Sequence, residues 1–342
     1  MKYLTKLTIL FVLAVMVLSA CASPATPAPV ETQAPEQPAE KFRVAVVTPS
    51  KCNDLAFSQS ICDALKIIQA EKGGEAAFEI AVSENMFNVD DAAAAIRDYA
   101  TQGYNLVIAH GSQYGSSLQE IAPDFAETSF AWGTTVDTFV DKGVTNVFAY
   151  EARSEEGGYV NGVVAAMLSK SGIIGVVGPI ETGDAKLYVD GFKAGIAATN
   201  PAATVNVNWT NSFSDVALAS EAAQTHANAG ADAMSGTAQM VVGAVGVCKE
   251  KGIPWFGTQA NQSSLAPEVV VASQVYKWEV VLREMLDLIG QGTMGGKAFA
   301  ITLANKGLVI EFNDAYQLPA DVKAAADAAI KGITDGSLKA LP

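Results

Sequence analysis

From Phe42 to the C-terminus, short runs of branched and aromatic residues alternate with longer stretches whose apolar positions recur at helical spacing. Phe42–Thr48, Phe78–Ser83, Leu106–Ala109 and Ser129–Trp132 read as strands bounded by turn residues, and Ser58–Lys72, Val89–Thr101 and Ser116–Phe125 as helices between them. The alternation then restarts. Helices are expected at Glu155–Ser171, Ala185–Thr199, Val216–Asn228 and Val241–Lys251, interleaved with strands at Ile173–Val177, Thr204–Trp209, Ala231–Met234 and Pro254–Phe256. The tail adds a strand at Val269–Ala272, a helix from Val275 to Leu288, strands at Ala298–Leu303 and Leu308–Phe312, and a helix at Ala320–Ile333. Strands that alternate with helices build parallel sheets through right-handed crossovers. Two successive runs predict an α/β protein of two doubly wound parallel-sheet lobes and not one barrel.

In open parallel sheets ligands bind beyond the carboxyl ends of the strands. The loops to search are therefore Pro49–Gln59, His110–Tyr114, Trp132–Val136, Gly178–Asp184, Trp209–Asp215, Gly236–Gln239 and Gly257–Asn261. In the first, Asp54, Phe57 and Ser58 combine a ring that can stack on a flat ligand with polar groups that can reach its edge. The plainer alternative is that Ser58 caps the helix and Phe57 staples it. His110, Gln113 and Tyr114 read as hydrogen-bonding groups at the mouth of a cleft.

Before Phe42 the pattern changes. Lys2 and Lys6 precede an uncharged run from Leu7 to Leu18, too short to span a hydrocarbon core and suited to an export signal over residues 1–20. Leu18-Ser19-Ala20-Cys21 resembles a lipobox, which makes Cys21 the expected lipidated first residue of the mature chain. Residues 21–41, rich in Pro, Ala and Thr, read as an extended tether. A lipid-anchored, extracytoplasmic protein on a bacterial cell membrane is expected.

Charge and composition narrow the chemistry. With 22 Lys and Arg against 36 Asp and Glu, the formal charge of the 342-residue chain is −14, which excludes the basic field that nucleic-acid binding needs. Two histidines, His110 and His226, and four cysteines leave little material for a metal site or a Ser-His-Asp enzyme, and His226 is expected on a solvated helix face. Gly-x-Ser-x-Gly spacing is absent around Ser112, and the glycines of Gly172–Gly178 interrupt a strand instead of opening a helix. No catalytic residues, metal or cofactor are expected. Cys62 reads as a buried thiol, although an exported compartment also permits a Cys52–Cys62 disulfide, and Cys248 reads as core.

Six motifs in order resemble the basic membrane protein family of ABC-transporter substrate-binding lipoproteins, of the purine-nucleoside-receptor type. They are Asp54-x-x-Phe57-Ser58-Gln59, Glu155 to Gly162, Gly191-Phe192-Lys193-Ala194-Gly195, Ser212-Phe213-Ser214-Asp215, Gly230-Ala231-Asp232 and Gly252 to Gly257. The resemblance covers Phe42 to Leu318. It implies the type I periplasmic-binding fold, two lobes joined by three crossings about a hinge: residues 42–151 with 274–302, and 152–273 with 303–342.

It also implies a monomer that clamps a purine nucleoside or base between aromatic rings and delivers it to an ABC permease and its ATPase. Asp54, Phe57 and Ser58 would line the base pocket, with Trp209 as the second aromatic and Lys277 as the lysine that follows the next strand. The family's ribose-binding aspartate is replaced here by the segment containing Gln259. A neutral amide accepts more weakly than a carboxylate, which shifts the expectation toward a free base. Riboflavin or a sugar as ligand, or a tethered sensor in place of a transporter component, remain the alternatives.

Overall fold

A computed structural model describes residues 41–341. The expected signal, the lipidation site Cys21 and the tether up to residue 40 lie outside the described residues. In chain order the strands are Phe42–Val47 (β1), Phe78–Ser83 (β2), Leu106–Ala109 (β3), Ser129–Gly133 (β4), Val147–Ala152 (β5), Ile173–Gly178 (β6), Thr204–Trp209 (β7), Ala233–Gly236 (β8), Trp255–Gln259 (β9), Val270–Tyr276 (β10), Ala298–Ile301 (β11) and Leu308–Phe312 (β12). The α-helices are Phe57–Glu71 (α1), Val89–Thr101 (α2), Gly115–Ile121 (α3), Ser154–Leu168 (α4), Gly183–Thr199 (α5), Val216–Asn228 (α6), Val242–Lys251 (α7), Glu279–Gly290 (α8) and Ala320–Thr334 (α9).

Two six-stranded sheets result, ordered β11-β5-β4-β3-β1-β2 and β12-β10-β9-β8-β6-β7. All pairings are parallel except β10 with β12, so the second sheet has one antiparallel edge strand. The chain passes between lobes after β5, after β10, and between β11 and β12. Among the described residues no helix is long and apolar enough to cross a membrane.

Local chemistry explains most of these elements. All residues of β3, β8 and β10 are buried, as strands covered by helices on both faces must be. Asn88 caps α2 by accepting from the Asp90 and Asp91 N–H groups, and Asp215 caps α6 through Ala217 and Leu218. Gly252, at φ 66°, closes α7 in the left-handed conformation that glycine adopts without strain.

The Glu155–Gly162 and Gly191–Gly195 motifs are a packing device. A Cβ on Gly158 or Gly162 would lie 2.3 or 2.2 Å from the Tyr188 or Phe192 carbonyl oxygen of α5. One on Gly191 or Gly195 would lie 2.1 Å from the Glu155 or Tyr159 carbonyl oxygen of α4. The two helices touch backbone to backbone, which only glycine permits.

Several sequence expectations are corrected. β5 was not singled out by the pattern, although five of its six residues are buried. The strand expected at Val269–Ala272 runs on to Tyr276 and its helix starts at Glu279, so the second crossing falls a few residues later than 273/274. β9 continues through Gly257 and Thr258 to Gln259, a stretch expected to be loop. Cys52 and Cys62 form a disulfide, with Cα atoms 5.7 Å apart. His226 is buried, not solvated: its Nε2 lies 3.0 Å from the Val176 carbonyl, over Gly175, where a Cβ would strike the imidazole.

Candidate functional site

The carboxyl ends of both sheets face a single cleft containing about 530 Å³ of atom-free space, part of it open to solvent. Phe57 and Phe87 enter from the first lobe; Asp184, Phe213 and Gln259 enter from the second. Polar rim groups include Ser112, Gln113, Thr237 and Gln239. At the mouth Phe87 and Phe213 meet across the lobes, with centroids 6.2 Å apart and planes tilted by 55°.

Phe57 is the first residue of α1 and is only 8% exposed. Its carbonyl oxygen is 3.1 Å from His110 Nε2, and its ring lies on the imidazole at 3.8 Å. A carbonyl accepts, so Nε2 carries the proton and Nδ1 accepts from the Tyr150 hydroxyl at 2.7 Å. Trp278 meets His110 edge-on and donates from Nε1 to Ser60 Oγ at 2.8 Å. Full burial holds the His110 pKa down at about 3, so the ring is neutral at physiological pH.

The other expected residues fall into two groups. Gln113 and Gln259 line the cleft with Phe57. Asp54, Ser58, His110, Tyr114, Trp209 and Lys277 do not, and the structure gives each a different role.

The Asp54 carboxylate accepts from the Ala56, Ser58 and Gln59 N–H groups at 2.9, 3.2 and 3.0 Å, knitting the turn that presents Phe57. Desolvation raises its pKa against those hydrogen bonds. Ser58 Oγ accepts from Ser50 N–H and ties the same turn to the end of β1. Tyr114 is fully buried and donates to the Met86 carbonyl at 2.7 Å, anchoring the segment that carries Phe87.

Trp209 ends edge strand β7 opposite Gly178, and its ring covers that glycine: a Cβ there would lie 2.3 Å from the indole. Phe213, four residues later, takes the cleft position expected of Trp209. Lys277 Nζ pairs with Glu311 Oε1 at 2.8 Å in a neighbouring groove lined also by Gln59, Asp63 and Asn261, which meets the cleft at Gln259.

Sequence reasoning missed Phe213 and Asp184 as individual residues, although the Trp209–Asp215 and Gly178–Asp184 loops it singled out contain them, and missed Phe87 altogether. Asp184 lies in the first turn of α5, where the helix dipole favours a carboxylate. Its Oδ2 accepts from Tyr276 Oη at 3.1 Å, and that hydroxyl also meets Ser154 Oγ at 2.6 Å. Desolvation nevertheless raises the Asp184 pKa, opposed by hydrogen bonds from Tyr276, backbone N–H groups and the Gln259 side chain. Gln259 is 4% exposed, sits at φ 75°, and its Oε1 has no partner. Strain and an orphaned acceptor at the end of a strand mark a group aimed at something else.

A family model described as ABC transporter substrate-binding protein, PnrA-like, matches residues 41–336. A purine-binding protein of Brucella abortus is 26% identical over 299 residues, 87% of this chain and 83% of that protein. Among solved structures, an ABC transporter solute-binding protein of Conexibacter woesei superposes with a TM-score of 0.71 at 24% identity, covering 88% of this chain and 98% of that one. One from Aeropyrum pernix K1 gives 0.73 at 18% identity, covering 87% and 92%. The last two likenesses establish a shared fold of two α/β parallel-sheet lobes.

Proposed function

The chain belongs to the PnrA-like family of ABC transporter substrate-binding proteins, and from that premise we propose that it captures a free purine base between Phe57 and Phe213. The observation that carries this reading is the placement of those rings, one from each lobe, on a single cleft. A flat heterocycle inserted there stacks on both lobes at once, so ligand and lobe closure stabilise one another. Stacking of a base on an aromatic side chain contributes about 1–3 kcal/mol. The purine-binding relative from Brucella supports the ligand class.

The base is preferred to its riboside because no carboxylate stands at Gln259, while Lys277 is engaged by Glu311 outside the cleft. In this reading the protein is an extracytoplasmic lipoprotein held by Cys21, acts as a monomer, and presents its ligand to an ABC permease and ATPase with no chemistry on the ligand.

Thermal shift of the full chain in detergent, against purine bases, nucleosides, riboflavin and hexoses, tests the proposal. A ligand at 100 times its Kd stabilises by about 2.7 kcal/mol. Purine bases are expected to shift the transition most. Silence for every purine, with a response to riboflavin or a hexose, would keep the transport role and remove the ligand.

A further inference from the structure

Among the residues lining the cleft, Asp184 carries the only ionisable side chain, and no lysine or arginine joins it. An anionic ligand would therefore meet a desolvated carboxylate with no counter-charge. The carboxylate is fixed from behind: Tyr276 donates to Oδ2 and in turn meets Ser154 Oγ. Each carboxylate oxygen has two acceptor sites, and the Tyr276 hydroxyl takes one of those on Oδ2, which leaves acceptor capacity on the carboxylate.

Gln259 adds to this excess of acceptors. Its side chain lines the cleft together with that of Asp184. Oε1 is left buried without a partner. Opposite sides of the cleft supply ring faces, and this corner supplies acceptors.

We propose that Asp184, assisted by Gln259, is the specificity-determining residue of the cleft, selecting a phosphate-free heterocycle with two adjacent N–H donors, as on the 2-amino-6-oxopurine edge of guanine. The inference rests on the purine reading above. Guanine's N1–H and 2-amino group can engage both carboxylate oxygens, a paired, charge-assisted arrangement. Hypoxanthine keeps N1–H and lacks the amino group. Adenine turns the N1 lone pair toward the carboxylate, and a nucleotide brings like charge.

Calorimetric titration of the full chain in detergent with guanine, hypoxanthine, adenine and guanosine monophosphate tests this. Guanine is expected to bind at least about tenfold tighter than hypoxanthine, adenine more weakly still, and the monophosphate not measurably, because a site built to bond a donor rejects the analogue lacking it. Asp184→Asn should bring guanine and hypoxanthine to within about threefold of each other. If purines bind but guanine has no advantage, selection by Asp184 is overturned while the purine reading stands. If none binds, both fall. The wild-type ratios decide the question even if the variant does not fold. An Asp184→Asn protein that folds and keeps the wild-type preference overturns it as well.

Discussion

Phe57 lies flat on His110, with ring centroids 3.8 Å apart and planes within 10° of parallel, and the imidazole is pinned between the Phe57 carbonyl and the Tyr150 hydroxyl. One face of Phe57 is thus committed to protein, leaving the other for the cleft. The histidine that looked in sequence like a polar group at the cleft mouth is the backing of the aromatic that lines it.

That burial gives stability a pH dependence. The folded pKa of His110 is held near 3 against an ordinary value of 6.5. Below pH 6.5 the unfolded chain takes up a proton that the folded chain does not, so this contribution is intact above pH 6.5 and lost as pH falls toward 3. The slope reaches about 1.4 kcal/mol per pH unit. His226 shifts in the same direction. In urea unfolding at pH 7, 6 and 5, His110→Gln should lose about 1–2 kcal/mol less than wild type across the range. Equal losses would mean that the folded protein protonates His110.

Phe213 and Trp209 can be separated by binding. Phe213→Ala and Phe57→Ala should each weaken the ligand by about tenfold or more, because a stacking face is lost. Trp209 covers Gly178 and lines no part of the cleft, so Trp209→Ala should change affinity by less than about threefold while lowering stability. Titration of the three variants with the tightest-binding purine checks this; a tenfold loss in Trp209→Ala would restore the indole to the site.

The Cys52–Cys62 disulfide closes a loop that contains Asp54 and Phe57. Restricting a loop of this length stabilises the folded state by about 3 kcal/mol in the chain-entropy model. Cys52→Ser with Cys62→Ser should lower stability by about that amount and weaken ligand binding through a looser Phe57 turn. Unchanged affinity would show that the Asp54 and Ser58 hydrogen bonds hold the turn unaided.

Close contact of α4 and α5 makes its own prediction. Gly191→Ala would drive a Cβ to 2.1 Å from the Glu155 carbonyl oxygen and should destabilise by about 3 kcal/mol. Gly246→Ala is the control: its Cβ would meet nothing within 4 Å on α7, and it should stabilise by about 0.5–1 kcal/mol. Unfolding midpoints that fail to diverge would remove backbone contact as the reason for those glycines.

Sequence alone determined the alternation of strands and helices, the two-lobe α/β architecture and most of the loops that reach the cleft, because period-2 and period-3.6 burial is written locally. It also yielded Phe57, Gln113 and Gln259, which sit at strand ends or helix starts where topology alone directs them to the cleft. Only the tertiary structure decided between Trp209 and Phe213, since the Trp209 ring is taken up by packing over Gly178 of the neighbouring strand β6. It alone turned His110 into a support, moved Lys277 out of the site and brought Asp184 in. A hydrogen-bond partner from a distant strand, such as Tyr276 for Asp184, and the desolvation that accompanies it are properties of packing and leave no local periodicity to read.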